Sequence, residues 1–452
     1  MKVEVEQASR AELIELVKHL LVRVQTLEDR IQELAAENER LRSDGGPKQP
    51  PPWVKANGAL GSDKKERKKR ARGYGRHRQA PTTVIEHAVE QCPQCHVPLE
   101  GGREVGRRQV IDVPPVRVEV TDHVVVERQC PQCLKEWRPE VDLSSEVVGK
   151  PRIGIHLQTE VAVLRERLRL PFRSIQDYLK LRCGLAVSVG EVVSLVRGVA
   201  VRGGVEYASL GAQIKASAVV YGDERGWREN GRNGYLWSFS TPSVRYYLYR
   251  RRRAATVVAE VIGAEFEGVL VSDFYAGYNI HEGWHQRCWG HLLRDIHELK
   301  QQHAEDAEVL KWAAAVRAVY DKAKAYAGPS RRLTEVEQLG ARRAQQHAFE
   351  HELMAVCAPF VKTKQPMSVL CGRVEKYLPE MFMFVADPRV APDNNAAERS
   401  LRGPVVSRKI SGGTRSAQGS ETKSVLASLF GTWLVQGRNV YEACRQMLAA
   451  PT

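Results

Sequence analysis

Five leucines fall seven residues apart near the start of the chain: Leu13, Leu20, Leu27, Leu34 and Leu41. Val17, Val24, Ile31 and Asn38 fill the other seam position of the same heptad. A stripe of this length and period asks for a partner helix. β-Branched residues at a with leucine at d favour two parallel strands, and a single buried asparagine at a fixes their register. The flanking charges agree, since Arg23 of one helix can meet Glu28 of its partner and Glu37 can meet Arg42. An amphipathic helix packed on its own domain is the alternative, but a proline-rich stretch follows at once. Residues 1–44 therefore read as a leucine-zipper-like coiled coil that makes the chain a homodimer.

Residues 45–81 read as a linker that is disordered when free. They run through Gly45-Gly46 and Pro50-Pro51-Pro52 into a tract, Lys64 to Arg78, with nine Lys and Arg and one acid, Glu66. Such a segment cannot bury a core. It is a solvated tether, and Lys64, Lys65, Arg67, Lys68, Lys69 and Arg70 also suit a phosphate-gripping arm. The whole chain has the same bias: 68 Lys and Arg against 54 Asp and Glu give a net charge of +14. Basic surfaces gain affinity for polyanions by releasing phosphate counterions, so a nucleic acid is the expected partner. No apolar run approaches the roughly 20 residues that span a bilayer, and the start, MKVEVEQASR, lacks the pattern of a signal peptide. A cytoplasmic, nucleoid-associated bacterial or archaeal setting is expected, with no membrane partner.

Four of the nine cysteines form two identical CPQC turns, Cys92-Cys95 and Cys130-Cys133. Zinc takes four soft ligands in a tetrahedron, and each CxxC turn offers two thiolates from one side. Strands expected at Arg108 to Val113, Val116 to Val120 and Val124 to Val126 would complete a zinc ribbon over 82–150 holding one structural zinc. A redox dithiol needs only one pair and a βαβ setting, which is missing. Cys183, Cys288, Cys357, Cys371 and Cys444 are scattered and read as core residues.

From 151 to 210 the period is helical. Ile175, Tyr178, Leu179, Leu181 and Leu185 lead through Gly184 to Ser188, a candidate N-cap before Val192, Val193 and Val196. This is a helix-turn-helix pattern, shared by many helical hairpins that never touch DNA. Residues 211–300 then alternate as strands. Ser217 to Gly222 ends at Asp223, and Gly234 to Thr241 and Val244 to Tyr249 follow. A helix over 254–262 leads into Gly268 to Ser272, ending at Asp273. Acids at the ends of the first and fourth strands describe an RNase H-like sheet whose carboxylates lie close enough to share divalent cations. Glu398, on a helix capped by Asp393 or Asn394, is the third acid. Taken singly, Asp223 and Asp273 could be strand-end turn residues, and Glu398 could be an i,i+4 partner of Arg402. Their joint order favours a metal site.

Asp-Glu-Arg-Gly-Trp at 223–227, Ser-Asp-Phe-Tyr-Ala-Gly-Tyr at 272–278, Cys288-Trp-Gly-His291 and the block from Asp393 to Arg402 resemble the insertion sequence 66 family of DDE transposases. The similarity runs over essentially the whole chain. The resemblance implies that Asp223, Asp273 and Glu398 are the catalytic triad, holding two Mg²⁺ when DNA is bound. It also implies a structural role for Cys288 and His291. Arg225 stands where family members often carry a small hydroxyl residue. Expected partners are double-stranded DNA, as transposon ends and target, and possible accessory proteins.

The chemistry needs these residue types. Hydrolysis of a phosphodiester and attack by the freed 3′-hydroxyl are both in-line displacements. Carboxylates hold the metals such steps use without donating competing protons. Arg399, Arg402, Arg408, Lys409 and Arg415, with the flexible Ser411-Gly412-Gly413-Thr414 loop, are placed to hold the DNA backbone. A helical insertion, 301–380, separates the second acid from the third, and 381–452 completes the core with C-terminal helices. The fold expected is thus multidomain α/β: coiled coil, zinc ribbon, helical DNA-binding segment and RNase H-like core. A nuclease that does not join strands, and a zinc-ribbon regulator with an inert core, are the competing readings.

Overall fold

The computed structural model describes residues 10–43, 79–113, 116–147, 153–328 and 336–450. The basic tract with Lys64, Lys65, Arg67, Lys68, Lys69 and Arg70 lies outside the described residues. The chain divides into two compact units, Met1–Asp112 and Val113–Thr452, and the division falls inside the segment expected to be one ribbon.

In the first unit, α1 (Arg10–Ser43) is a single helix of 34 residues, roughly 50 Å long at 1.5 Å per residue. Neither Gly nor Pro interrupts it, and Glu15–Lys18 and Arg30–Glu33 pair one turn apart along it. Val17, Leu20, Val24, Leu27, Ile31 and Leu34 are all exposed along the seam. Residues 108–113 form no strand, contrary to expectation. Val110 and Ile111 are exposed, and an extended segment becomes a strand only where a neighbour takes up its backbone groups.

In the second unit, 116–120 and 124–126 are likewise not strands. The pairing is confined to β1 (Arg128–Gln129) and β2 (Glu136–Trp137), an antiparallel pair around the second CxxC turn. Four helices follow: α2 (Ile155–Glu166), α3 (Phe172–Cys183), α4 (Val189–Arg202) and α5 (Gly204–Lys215). Gly184 closes α3 at φ 67°, a left-handed position natural to glycine. Ser188 Oγ accepts from Glu191 N at 3.0 Å and caps α4. Ile175, Leu179, Val192 and Val196 are buried, but Leu181, two residues past Leu179 and so turned to the far side of α3, is exposed.

The sheet comprises β3 (Val219–Glu229), β4 (Arg232–Ser240), β5 (Arg245–Arg250), β6 (Val269–Ser272) and β7 (His285–Arg287), with α6 (Ala255–Ile262) before β6. The spatial order is β5-β4-β3-β6-β7. The first three strands are antiparallel, and β6 and β7 run parallel to β3. A correction concerns Asp223, which does not end its strand. Parallel pairing with β6 stops at Tyr221↔Val271, but the hairpin with β4 carries β3 on to Glu229. Asn230 and Gly231, both at positive φ, make the turn.

The remaining elements are α7 (Trp289–Gln302), α8 (Ala307–Tyr326), α9 (Val336–Cys357), α10 (Ser368–Tyr377), α11 (Met383–Ala386), α12 (Asn395–Ser411), α13 (Ala417–Val435) and α14 (Val440–Ala449). Strand alternation sends Val219, Tyr221 and Asp223 to one face of β3 and Val220 and Glu224 to the other. On the Val220 face, Trp237, Phe239 and Leu270 pack with α4, α6, α13 and α14. On the Tyr221 face, Val219, Val269 and Val271 share a core with Trp289, Trp312, Phe349, Phe382 and Phe384. The helical stretch between the second and third acids is therefore part of the body of the fold. The β5 edge is covered by α13: Thr432 Oγ1, Ser428 Oγ and Ser424 Oγ, four residues apart, accept from Arg245 N, Tyr247 N and Tyr249 N at 2.8–3.0 Å. Those N–H groups would otherwise lack a partner. Among the described residues no helix is long and apolar enough to cross a membrane.

Candidate active site

Asp223 and Asp273 each stand two residues past the last parallel pair, Tyr221↔Val271, Asp223 within β3 and Asp273 one residue beyond the end of β6. Asp223 is 4% exposed. Its Oδ1 accepts from Glu224 N at 2.8 Å, whereas its Oδ2 is buried and accepts no hydrogen bond. Arg225 Nη2 stands 3.5 Å from that oxygen. Burial pushes the Asp223 carboxyl up to about 7; Arg225 opposes the shift, while the charges of Glu224 and Asp273 add to it. The side chain is short of positive charge.

The Asp273 backbone is fixed by a buried cation. Arg287, fully enclosed, donates from Nη1 to Asp273 O at 2.9 Å, from Nη2 to Asn279 Oδ1 at 2.6 Å and from Nε to Glu380 at 2.5 Å. Ser272 Oγ also donates to Asp273 O, at 2.9 Å, and lies 2.8 Å from His285 Nε2. The Asp273 carboxylate itself accepts from Tyr275 N at 2.9 Å.

Glu398 lies in the first turn of α12, not the second, and Asn394 occupies the N-cap position without capping through its side chain. Asn394 Nδ2 donates instead to Gly222 O at 2.6 Å, beside Asp223, and its backbone N donates to Cys288 Sγ at 3.1 Å. Two residues beyond Glu398, Ser400 Oγ lies 2.7 Å from Ser238 Oγ, and Ser238 is the β4 residue opposite Asp223. These bonds pin the start of α12 to the strand that carries the first acid. Glu398 does not pair with Arg402. Its Oε1 faces His291 Nε2 at 3.7 Å and Arg294 Nη2 at 3.9 Å.

Among the described residues one group of potential metal ligands closes within 4.8 Å, and it is Cys288, His291 and Glu398; Asp223 and Asp273 are not in it. Cys288, expected as a core cysteine, is buried as such, and burial pushes its thiol up to about 11. His291 Nδ1 and Asn394 Oδ1, like Asp223 Oδ2, are buried without a hydrogen-bond partner. An open cavity of about 570 Å³ is lined by Asp273 and His291 together with Arg253, Asp295, Arg373 and Lys376.

Sequence reasoning missed Glu224, which is as buried as Asp223 on the opposite face of β3. It accepts from Tyr278 Oη at 2.6 Å and from Arg253 Nε at 2.6 Å. Burial pushes its carboxyl up, and Asp273 adds to that shift while Tyr278 and Arg253 oppose it. The available signal was an acid at an even position whose strand neighbours, Val220 and Gly222, face a core.

The expected phosphate-binding residues divide. Arg399, Arg402, Lys409 and Arg415 are exposed, whereas Arg408 donates to Gly226 O in β3. The loop 411–414 is not loose. Thr414 exchanges backbone hydrogen bonds with Arg228 and Asn230, each 2.8 Å, and a Cβ on Gly413 (φ 112°) would collide with Arg228 O.

The two CxxC turns share one geometry, each within its own unit. Cys92 N donates to Val97 O and His96 N to Cys92 O, both 2.9 Å, with His96 at φ 59°. Cys130, Lys135 and Leu134 repeat this, with Leu134 at φ 56°. Backbone N–H groups of the turn lower the thiols of Cys92 and Cys130, the direction that favours a metal-binding thiolate.

A search of curated proteins finds no match to the chain. The family described as "Transposase IS66 family" matches residues 151–422, from α2 into α13.

Proposed function

The chain belongs to the IS66 family of transposases, and from that premise we propose that it binds transposon ends and catalyses strand cleavage and strand transfer through Asp223, Asp273 and Glu398. One observation carries this reading: Asp223 and Asp273 each follow by two residues the last parallel pair of neighbouring strands, Tyr221↔Val271, and a buried carboxylate oxygen of Asp223 is left unpaired. The strand order β5-β4-β3-β6-β7, three antiparallel then two parallel, supports an RNase H-like core. Asn394 and Ser400 support Glu398 as the third member, because both tie its helix to the Asp223 row.

The donor set fits hard divalent cations such as Mg²⁺, since all three side chains offer carboxylate oxygen. When bound, two such ions would stabilise charge on the attacking and leaving oxygens of the phosphodiester. The chain's own residues do the rest. Arg287 holds the Asp273 backbone in place, Asn394 holds the α12 start, and His291 and Arg294 face the Glu398 carboxylate. Exposed Arg399, Arg402, Lys409 and Arg415, on and just after the helix that carries Glu398, grip the DNA backbone.

Zinc at Cys92, Cys95, Cys130 and Cys133 and a coiled-coil homodimer through α1 complete the proposal. The repeated turn geometry and lowered thiols support the first. The exposed seam from Val17 to Leu34 supports the second. The test is an assay of binding, cleavage and joining on labelled terminal DNA in Mg²⁺. Asp223→Asn, Asp273→Asn and Glu398→Gln should each lose both chemical steps while still binding ends. Cleavage without joining by the wild type would favour a simple nuclease, and binding alone a regulator.

A further inference from the structure

Away from the acids, a cavity of about 400 Å³ opens between the α2–α3 turn, β5, α12 and α13. Arg167, Arg169, Arg245, Arg399 and Arg402 line it. The single acid there, Glu166, is already committed to Lys423 in an ion pair in which both side chains are 9% exposed. Among the described residues, no carboxylate lies within ion-pair distance of any of the five guanidinium groups. Arg245 is half-buried, and its guanidinium donates only to the carbonyls of Thr241 and Val244. Five like charges around one hollow repel one another, so an anion there would be stabilising. The fork of a guanidinium matches phosphate oxygens in particular.

The cavity sits at a defined place relative to the acids. Asp223, Ser238 and Tyr247 form one row across β3, β4 and β5, and Tyr247 lines the cavity. Ser400, in the cavity wall, lies against Ser238, and its carbonyl accepts from Tyr247 Oη at 2.7 Å. Two strand spacings put the Tyr247 end about 10 Å from Asp223. Phosphates on one strand of B-form DNA are separated by more than the axial rise of about 3.4 Å per nucleotide, so that span is fewer than about three nucleotides.

We propose that the cavity holds a backbone phosphate of the substrate strand within about three nucleotides of the scissile one, gripped by Arg167, Arg169 and Arg245 as well as Arg399 and Arg402. The inference rests on the chain acting on DNA, and it adds a second anchor that sets which phosphodiester reaches the acids. The occupant's chemistry is a phosphate oxygen anion, which DNA or free inorganic phosphate can supply.

The test uses the full chain and a terminal duplex, with binding measured in EDTA across a salt series so that cleavage plays no part. Losing one phosphate contact should make the slope of log K against log[salt] shallower by about 0.9 and weaken binding roughly eightfold near 0.1 M salt. The double substitution Arg167→Gln, Arg169→Gln should show this, and Arg402→Gln, on a different element, should show it independently. Lys215→Gln, an exposed cation on α5, should leave the slope unchanged. Unchanged slopes in both cavity variants would overturn the proposal. So would unchanged slopes accompanied by wild-type thermal stabilisation in inorganic phosphate that the variants lack, which would mark a free-anion site. Shallower slopes alongside active triad variants would overturn the triad and leave this site standing.

Discussion

Replacing Asp223 by Asn should change how stability depends on pH more than it changes stability itself. The folded-state carboxyl is pushed up to about 7 from an ordinary 3.8, so between those values the folded chain binds more protons than the unfolded one. Unfolding free energy therefore falls as pH rises through that window, and the penalty is complete above the folded value. From pH 5 to pH 8 the titration spans about two units, a loss of about 3 kcal/mol in wild type that the neutral amide cannot suffer. The assay is thermal or denaturant unfolding of wild type and Asp223→Asn in EDTA at both pH values. The variant's advantage should grow by about 3 kcal/mol at the higher pH, roughly 3–4 °C in Tm for a chain of this size. Any fixed cost of an unpaired amide cancels in that comparison. Divalent cation added at pH 8 should stabilise wild type and leave Asp223→Asn nearly unmoved. An identical gap at the two pH values would refute the argument that a buried, undercompensated carboxylate sits there.

Three further outcomes follow from other parts of the chain. Elemental analysis of reduced protein should find one zinc per chain, released by joint Cys92→Ser and Cys95→Ser; no stoichiometric zinc in wild type would remove the ribbon. Leu20→Asp with Leu27→Asp, both on the exposed seam, should convert a sedimenting dimer to monomer at tens of micromolar, about the range in which mass action governs such helices; an unchanged dimer would place the interface elsewhere. Gly222→Val puts a Cβ 2.9 Å from the Tyr278 ring, so it should cost about 1–3 kcal/mol and disturb Asp223 next to it; a variant as stable and active as wild type would show that the ring moves freely.

The outline of the sheet was legible because alternation and turn chemistry are local. The Gly184 stop and the Ser188 cap belong to the same class. What the residues could not show was set by partners distant in sequence. Asp223 reads as a strand end because the apolar run stops there, yet the β4 hairpin extends the strand by pairing Arg225 with Leu236 and Trp227 with Gly234. Asn394 reads as a helix cap, but Gly222 O, 172 positions away, takes its side chain. Glu398 reads as a partner of Arg402 on its own helix, whereas α7 supplies the His291 and Arg294 side chains that face it. The valines of 108–126 have strand propensity and no ladder, since β propensity expresses packing on a neighbour as much as any backbone preference.

The claim that three acids act as one site is tested most directly by comparing single and combined substitutions in one cleavage assay. Rates on labelled terminal DNA in Mg²⁺ would be measured for Asp223→Asn, Asp273→Asn, Glu398→Gln and the triple variant. Residues that act as a unit are strongly non-additive, so each single change should fall to about the floor set by the triple variant. Three separate partial losses that multiply to the triple value would contradict a shared site. Near wild-type cleavage by Glu398→Gln alone would return Glu398 to the Cys288–His291 group as a structural residue and leave Glu224 as the buried acid to test next.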